Sequence, residues 1–388
     1  MKIEDLPEDQ LADLMRRYYD GEKVGELIEA FGLDVKPSQL VSTFPPERLP
    51  EPCRQCGGTM IRPRVGRSSY SAESLSRCEL CGHFDAPGHS WRRCSCEACA
   101  DEEIKATQAR EFEIVDVIDA YVRKCELAPV SLADLTIRQR IYLAALATAY
   151  ADEDLRVLLH VGVEQTKMPP VAPRSADVIS MIRELWSAGA IGLMRNSPRS
   201  AFDIEQKPGH PPEVVGVIPS EVIWEIQIVD VDRSAILIPN CTPTIDEALI
   251  LWHEMSQSEA LAYLESERDR YGIDAVAGDK TSAIIREIVE KYSTAETQCL
   301  VWMAMRDLFA AMQERYMNRR HVGNSLPVFI KNKFEHYQAK KYDPKQFDRR
   351  GKQSIVSQLL YNHVLGIGEN GFTLRPTTEN LNPPAACA

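Results

Sequence analysis

Seven of the chain's eleven cysteines stand between residues 53 and 99, in three short groups: Cys53-x-x-Cys56, Cys78-x-x-Cys81 and Cys94-x-Cys96-x-x-Cys99. Thiolates spaced so closely converge on one point, which is the chemistry of a metal site rather than of disulfide cross-links. A glycine directly follows the second cysteine of the first two pairs, at Gly57 and Gly82. A turn that aims backbone N–H groups at the sulfurs needs a residue tolerating positive φ at that point. Seven cysteines and one histidine, His89 or His83, supply eight ligands, enough for two closed tetrahedral zinc ions. Two pairings satisfy the spacing. In a sequential one, Cys53, Cys56, Cys78 and Cys81 hold one ion, and Cys94, Cys96, Cys99 and the histidine hold the other. In an interleaved one, Cys78, Cys81, the histidine and Cys94 share an ion, leaving Cys53, Cys56, Cys96 and Cys99 for its neighbour. Either arrangement closes every coordination position, so the expected role is structural.

Two CxxC pairs separated by 21 residues resemble a zinc ribbon. The resemblance implies a segment too small to build its own apolar core and therefore held together by metal. The same segment carries seven arginines and no lysine, among them Arg62, Arg64 and Arg67. Arginine suits bidentate contact with phosphate, and Tyr70 and Trp91 could stack on a base.

A second concentration of chemistry lies near the C-terminus. Residues 315–352 hold eleven basic side chains: Arg315, Arg319, Arg320, Lys331, Lys333, Lys340, Lys341, Lys345, Arg349, Arg350 and Lys352. Only Glu335, Asp343 and Asp348 oppose them, in a chain whose net charge is −12. Tyr316, Phe329, Phe334, Tyr337, Tyr342 and Phe347 are interleaved. Basic residues among aromatics fit a nucleic-acid backbone with some base stacking. The competing expectation is internal pairing with the acidic face of residues 246–274, where Glu254, Glu259, Glu265, Glu267 and Asp269 gather. Within the basic segment, Arg315 and His321 stand five residues apart and resemble the R-x(4–6)-H motif of HEPN-type ribonucleases. That resemblance implies phosphodiester cleavage by the histidine with the arginine steadying the phosphate. No GxxxxGK[ST] phosphate loop, no GxGxxG after a strand and no HExxH is present.

The elements that must position these residues divide the chain into four expected regions. Residues 1–50 read as three short helices, and Glu26–Leu33 followed by Ser38–Pro45 resembles the helix-turn-helix of resolvases and invertases. The resemblance implies that Ser38, Gln39 and Ser42 face a major groove. Six basic against eleven acidic residues in this module argue instead for docking or a structural role. The proline-rich stretch 44–52 reads as a stiff linker. Residues 51–102 are the two-zinc ribbon. Residues 103–240 form a helix-rich stretch that turns into strands. A helix capped by Ser175, a strand at 190–195, a polar loop with Arg199 and Lys207, and a returning strand at 222–229 resemble a winged-helix domain. Residues 241–388 read as an all-helical domain around a buried helix opened by the capping box Ser293-Thr-Ala-Glu296.

The expected fold class is therefore mainly α and multi-domain, with an α+β middle. Composition is that of an ordinary globular protein, 44% apolar and 26% charged. The longest apolar run, Cys299 to Met305, is too short to span a bilayer, and no secretory leader is expected. Thiolate ligands and the single cysteines Cys125, Cys241, Cys299 and Cys387 point to a reducing, cytoplasmic setting. The expected function is non-enzymatic nucleic-acid binding with structural zinc, as a regulator or a subunit of a larger complex. The alternatives are an RNA-cleaving effector and a protein-docking scaffold.

Overall fold

The computed structural model describes residues 1–67, 76–85, 94–159, 161, 168–229, 232–273, 278–315 and 319–381. The described chain is mainly helical with few, short strands. It divides into two compact units, Met1–Ile114 and Val115–Ala388.

In the first unit, α1 (Glu8–Tyr19) buries Leu14 and Tyr18, one turn apart, and ends on Arg16 and Arg17, which complement its dipole. The second helix, α2 (Val24–Ala30), buries Leu27 and stops before Gly32, whose φ of +60° a side chain would resist. The expected third helix does not form. Residues 37–43 make two separate 3₁₀ turns, Pro37–Gln39 and Val41–Thr43. The reason is local. Pro45 forces Phe44 into extended backbone, leaving fewer than two turns after Pro37. The hydroxyls of Ser42 and Thr43 donate to the carbonyls of Gln39 and Leu40 three residues back, at 2.7 and 2.6 Å. Ser38, Gln39 and Ser42 therefore do not lie along a recognition helix. The module closes around Leu6, Leu14, Tyr18, Leu27, Leu33, Leu40 and Phe44.

The expected linker also changes role. Its second half is the edge strand β1 (Glu47–Pro52) of a four-stranded antiparallel sheet with β2 (Thr59–Arg62), β3 (Ser76–Cys78) and β4 (Phe84–Asp85), in that order. Prolines cannot donate to a ladder, so Pro50 and Pro52 are tolerated because β1 has a free edge and shifts register between Arg48 and Pro52. Cys53, Met60 and Cys78 form a small buried cluster among the described residues of the sheet, with Leu49 and Cys81 against them. A long helix, α3 (Glu97–Lys124), begins here and continues into the second unit.

The second unit opens with β5 (Val130–Ser131), α4 (Ile137–Tyr150), β6 (Val157–Leu158), α5 (Ser175–Ser187) and β7 (Ile191–Leu193). A hairpin of β8 (Phe202–Glu205) and β9 (Glu213–Val217) follows, then β10 (Trp224–Ile226) and β11 (Ile228–Val229). Strand β10 lies between β6 and β7, antiparallel to both, and β11 pairs parallel with β5. Helix α5 buries Val178, Met181, Ile182 and Leu185; its N-cap is Arg174, and Ser175 is its first residue rather than its cap.

Four long helices complete the unit: α6 (Ile245–Tyr271), α7 (Asp279–Val289), α8 (Thr294–Arg315) and α9 (Arg319–Lys340). Helices α4, α6 and α8 each start on a reciprocal capping box, at Thr136/Gln139, Thr244/Glu247 and Ser293/Glu296. Leu300, Val301, Ala304, Met305 and Leu308 of α8 are fully buried, as expected of the central helix, although Arg306 reaches solvent. Beyond α9 the chain crosses the bundle without regular structure. It then forms α10 (Ile355–Gln358), a π-helical turn over Leu359–Val364, and α11 (Asn370–Thr373). No helix of the described residues is long and apolar enough to cross a membrane.

The short helix α11 is seated by Trp252, whose indole N–H donates to the Gly371 carbonyl at 2.8 Å. A Cβ on Gly371 would stand 2.5 Å from the fully buried Tyr361 ring. Gly371→Ala is therefore expected to cost ~1–3 kcal/mol, read as a lower urea midpoint with unchanged slope.

Candidate metal centre and the cationic residues

Two groups of ligand atoms converge in the first unit: Cys53, Cys56, Cys78 and Cys81, and His83, Cys94, Cys96 and Cys99. Within each, all ligand atoms lie within 4.8 Å of one another. The grouping is the sequential one, and the histidine in it is His83; His89 lies outside the described residues. A signal for His83 was present in the sequence, because it directly follows the Cys78–Gly82 turn.

The same turn is built twice. Cys53 N–H donates to the Gly58 carbonyl at 2.7 Å, and Gly57 N–H donates back to Cys53 at 2.8 Å. Cys78 N–H donates to the His83 carbonyl at 2.7 Å, and Gly82 N–H donates back to Cys78 at 3.1 Å. Gly57 and Gly82 have φ of +73° and +69°, which the sequence anticipated. The third group is closed by α3, whose first turn carries Cys99, while Cys94 and Cys96 precede the helix. Amides of Phe84 and Cys96 point at Cys94 Sγ, 3.4 and 3.5 Å away.

The sulfurs are packed closer than neutral thiols require. Cys56 Sγ lies 3.4 Å from Cys78 Sγ and 3.3 Å from Cys81 Sγ, and Cys53 Sγ lies 3.7 Å from Cys81 Sγ. His83 Nδ1 lies 3.2 Å from Cys99 Sγ and 3.8 Å from Cys96 Sγ. Tetrahedral zinc with bonds of about 2.3 Å to sulfur places its ligands about 3.8 Å apart. Both groups are of that size, and each could hold a metal ion such as zinc.

Electrostatics point the same way. N–H donation, chiefly from Cys81, lowers the Cys78 thiol to about 6. The amide of His83 favours the Cys81 thiolate, but burial and three neighbouring sulfurs push that thiol up to about 12. Burial opposes ionisation of Cys94, yet the amides of Cys96 and Phe84 bring it to about 7. Burial and the sulfurs of Cys96 and Cys94 raise Cys99 to about 12. Each group thus favours thiolate at one position and resists it at another, the conflict that a shared dication removes. His83 is fully buried, and Arg54 Nε lies 3.2 Å from its Nε2. A metal on Nδ1 places the ring proton on Nε2, so Arg54 must give up that contact when the site is filled.

The cationic residues separate into three sets. Some are spent on structure. Arg67 donates to the Tyr18 and Glu22 carbonyls at 2.8 and 2.7 Å and tucks the sheet against the N-terminal helices. Arg349 binds Glu259 at 2.6 Å, and Arg350 binds Glu267 at 2.7 Å, both carboxylates being buried. Lys333 binds Asp307 at 2.6 Å, and Lys331 lies 3.6 Å from Glu335. A second set stays exposed: Arg62 on β2, Lys340, Lys341, Lys345 and Lys352; Arg64 is half-buried. The third set lies outside the described residues: the side chains of Arg315, Arg319, Arg320 and His321, and with them the R-x(5)-H constellation, as well as Tyr70 and Trp91. On the hairpin side, Arg195 lies 3.5 Å from Glu126, and Lys207 lies 3.1 Å from Glu205.

Sequence reasoning missed Arg375. It binds Glu296 and Asp343, each at 2.6 Å, and stands 5.2 Å over the Tyr292 ring. Its partners are 79 and 32 residues away, and no local pattern connects them.

Comparison of the chain with protein-family models, curated proteins and solved structures finds no match. The functional reading rests on the residues themselves.

Two outcomes check these assignments. Metal analysis of the purified chain should return two thiophilic metal equivalents. A strong chelator should melt the first unit while the helical signal of the second persists; fewer than one equivalent would remove the metal centre. Arg349→Ala leaves Glu259 buried without a counter-charge and should cost ~3–5 kcal/mol. The paired change Arg349→Met with Glu259→Gln should recover most of that loss in a denaturation cycle.

Proposed function

We propose that this protein binds nucleic acid without catalysing a reaction, that zinc fills both metal groups as a structural ion, and that the contact is made at the C-terminal end of α9. The observation that carries this reading is a shallow hollow lined by Lys291, Lys341, Arg375, Tyr292, Tyr342 and Asp343. Lys340 and Lys345 stand exposed nearby in sequence, and Tyr342 is 54% exposed. Lys341 occupies the left-handed position that ends α9, with φ of +53°. Glycine is the usual residue there, and a lysine costs roughly 1 kcal/mol of backbone strain. A strained cation beside an exposed aromatic ring is suited to a phosphate and a stacked base of a single strand.

One further feature is compatible with the reading. The order β6–β10–β7 with the β8–β9 excursion between β7 and β10 resembles a winged-helix arrangement, in which α5 would be the recognition helix. Arg183 is that helix's exposed basic residue, so this face is the weaker candidate for phosphate contact. A second reading, protein docking, is favoured by the internal neutralisation of Arg349 and Arg350, which shrinks the cationic segment.

The test is a charge reversal. Lys340→Glu with Lys341→Glu should weaken binding of a fluorescent single-stranded oligonucleotide and flatten its salt slope by up to ~0.7 per lost contact. Thermal stability should be unchanged. A wild-type chain that binds no oligonucleotide at low salt would remove this reading and leave docking.

A further inference from the structure

Away from the hollow, in the first unit, the two metal groups share a turn. Cys78 and Cys81 are ligands of the first group, and His83, two residues on, is a ligand of the second. The main chain of His83 serves the first: its carbonyl accepts from Cys78 N–H at 2.7 Å, and its amide faces the Cys81 sulfur. The imidazole serves the second, with Nδ1 3.2 Å from Cys99 Sγ and 3.8 Å from Cys96 Sγ. His83 is fully buried, so the turn, and not free rotation in solvent, aims its ring.

A further tie runs from the first cysteine pair. Both middle residues of Cys53-Arg54-Gln55-Cys56 reach toward the second group. Gln55 Nε2 donates to Glu102 at 3.0 Å, and Glu102 lies on α3 three residues after Cys99. Arg54 Nε lies 3.2 Å from His83 Nε2. Arg54 works against a filled second group, because it gives up that contact when Nδ1 takes a metal; as an exposed residue it can turn to water instead. The shared turn and the Gln55 contact work for it. Metal in the first group closes the turn on four sulfurs and so orders the His83 main chain before a second ion arrives. An ion that meets an already ordered site has less order left to impose, and its affinity rises.

We infer that the two groups fill as a coupled pair, metal in either one raising the affinity of the other through the Cys78–His83 turn. The inference rests on the reading of both groups as zinc sites. Coupling between linked sites is typically about 5–150-fold in affinity and acts equally in both directions. One short turn carrying ligands to both ions places this pair at about tenfold or more. A chain short of zinc then loses both ions together, and with them the ligands that tie the sheet β1–β4 to the start of α3.

The experiment titrates the metal-free full chain with cobalt(II) under reducing conditions. Cobalt held by four sulfurs absorbs at longer wavelength than cobalt held by three sulfurs and a nitrogen, so each group is read separately. Cys56→Ser disables the first group without altering the turn or any ligand of the second. It should weaken cobalt in the second group at least ~tenfold. Cys56→His keeps a metal-binding side chain at that position and should restore both ions, counted by native mass spectrometry; this separates coupling from a chain that has merely failed to fold. Cys96→Ser is the reciprocal variant and should weaken the first group by a similar factor. Unchanged second-group affinity in Cys56→Ser, or a Cys56→His chain that fills the first group without recovering the second, overturns the inference. Saturation of the wild type below two ions would instead remove the zinc reading on which it rests.

Discussion

A charge removed from water must be answered by an opposite charge or not form at all, and both units of this protein are organised by that constraint. Burying an ion costs several kcal/mol even after relaxation. The first unit faces it with seven thiols and an imidazole drawn into two groups. The second faces it with three glutamates, Glu259, Glu267 and Glu296, none more than 5% exposed. What meets each charge decides how the neighbouring chain is held.

In the first unit the conflict is within the ligand set. The sheet β1–β4 encloses little beyond Cys53, Met60 and Cys78, so apolar burial alone gives it little stability. The twin glycine turns direct N–H groups at sulfur and favour thiolate, while the packing of four sulfurs together opposes it. A dication held there would relieve both at once, and the ligands would then serve as the core. Arg67 joins the sheet to the N-terminal helices through the backbone carbonyls of Tyr18 and Glu22.

In the second unit the counter-charges come from far along the chain. Arg349, Arg350 and Arg375 reach the three glutamates of α6 and α8, and each lies over an aromatic ring, Phe372, Tyr263 and Tyr292. A segment without regular structure is thereby fixed across the bundle. The cost falls on the cationic surface: two arginines of the basic run are consumed, and among the described side chains of that run those left exposed without such a pairing are lysines around the end of α9. Functional surface and structural pairing draw on the same residues, and the geometry divides them.

The metal groups were legible because ligand spacing is a local property: one or two residues between cysteines, and a glycine after each of the first two pairs, set the turn whatever surrounds it. The capping box at Ser293–Glu296 was legible for the same reason, being complete within a few residues. The third N-terminal helix was misread because periodicity continued where Pro45 had already closed off the backbone. The proline-rich linker was misread because a free sheet edge accepts prolines that an interior strand would not. The spacing of residues along the chain, without any structure, determined that seven cysteines fall in ligand-like groups and that positive charge is concentrated at residues 315–352. Only the tertiary structure decided that His83 joins Cys94, Cys96 and Cys99, and that Arg349, Arg350 and Arg375 turn inward while Lys340 and Lys341 do not. The reason is physical: a counter-charge is chosen by distance in space, and Glu259 and Arg349, 90 residues apart in the chain, share no pattern a linear reading could detect.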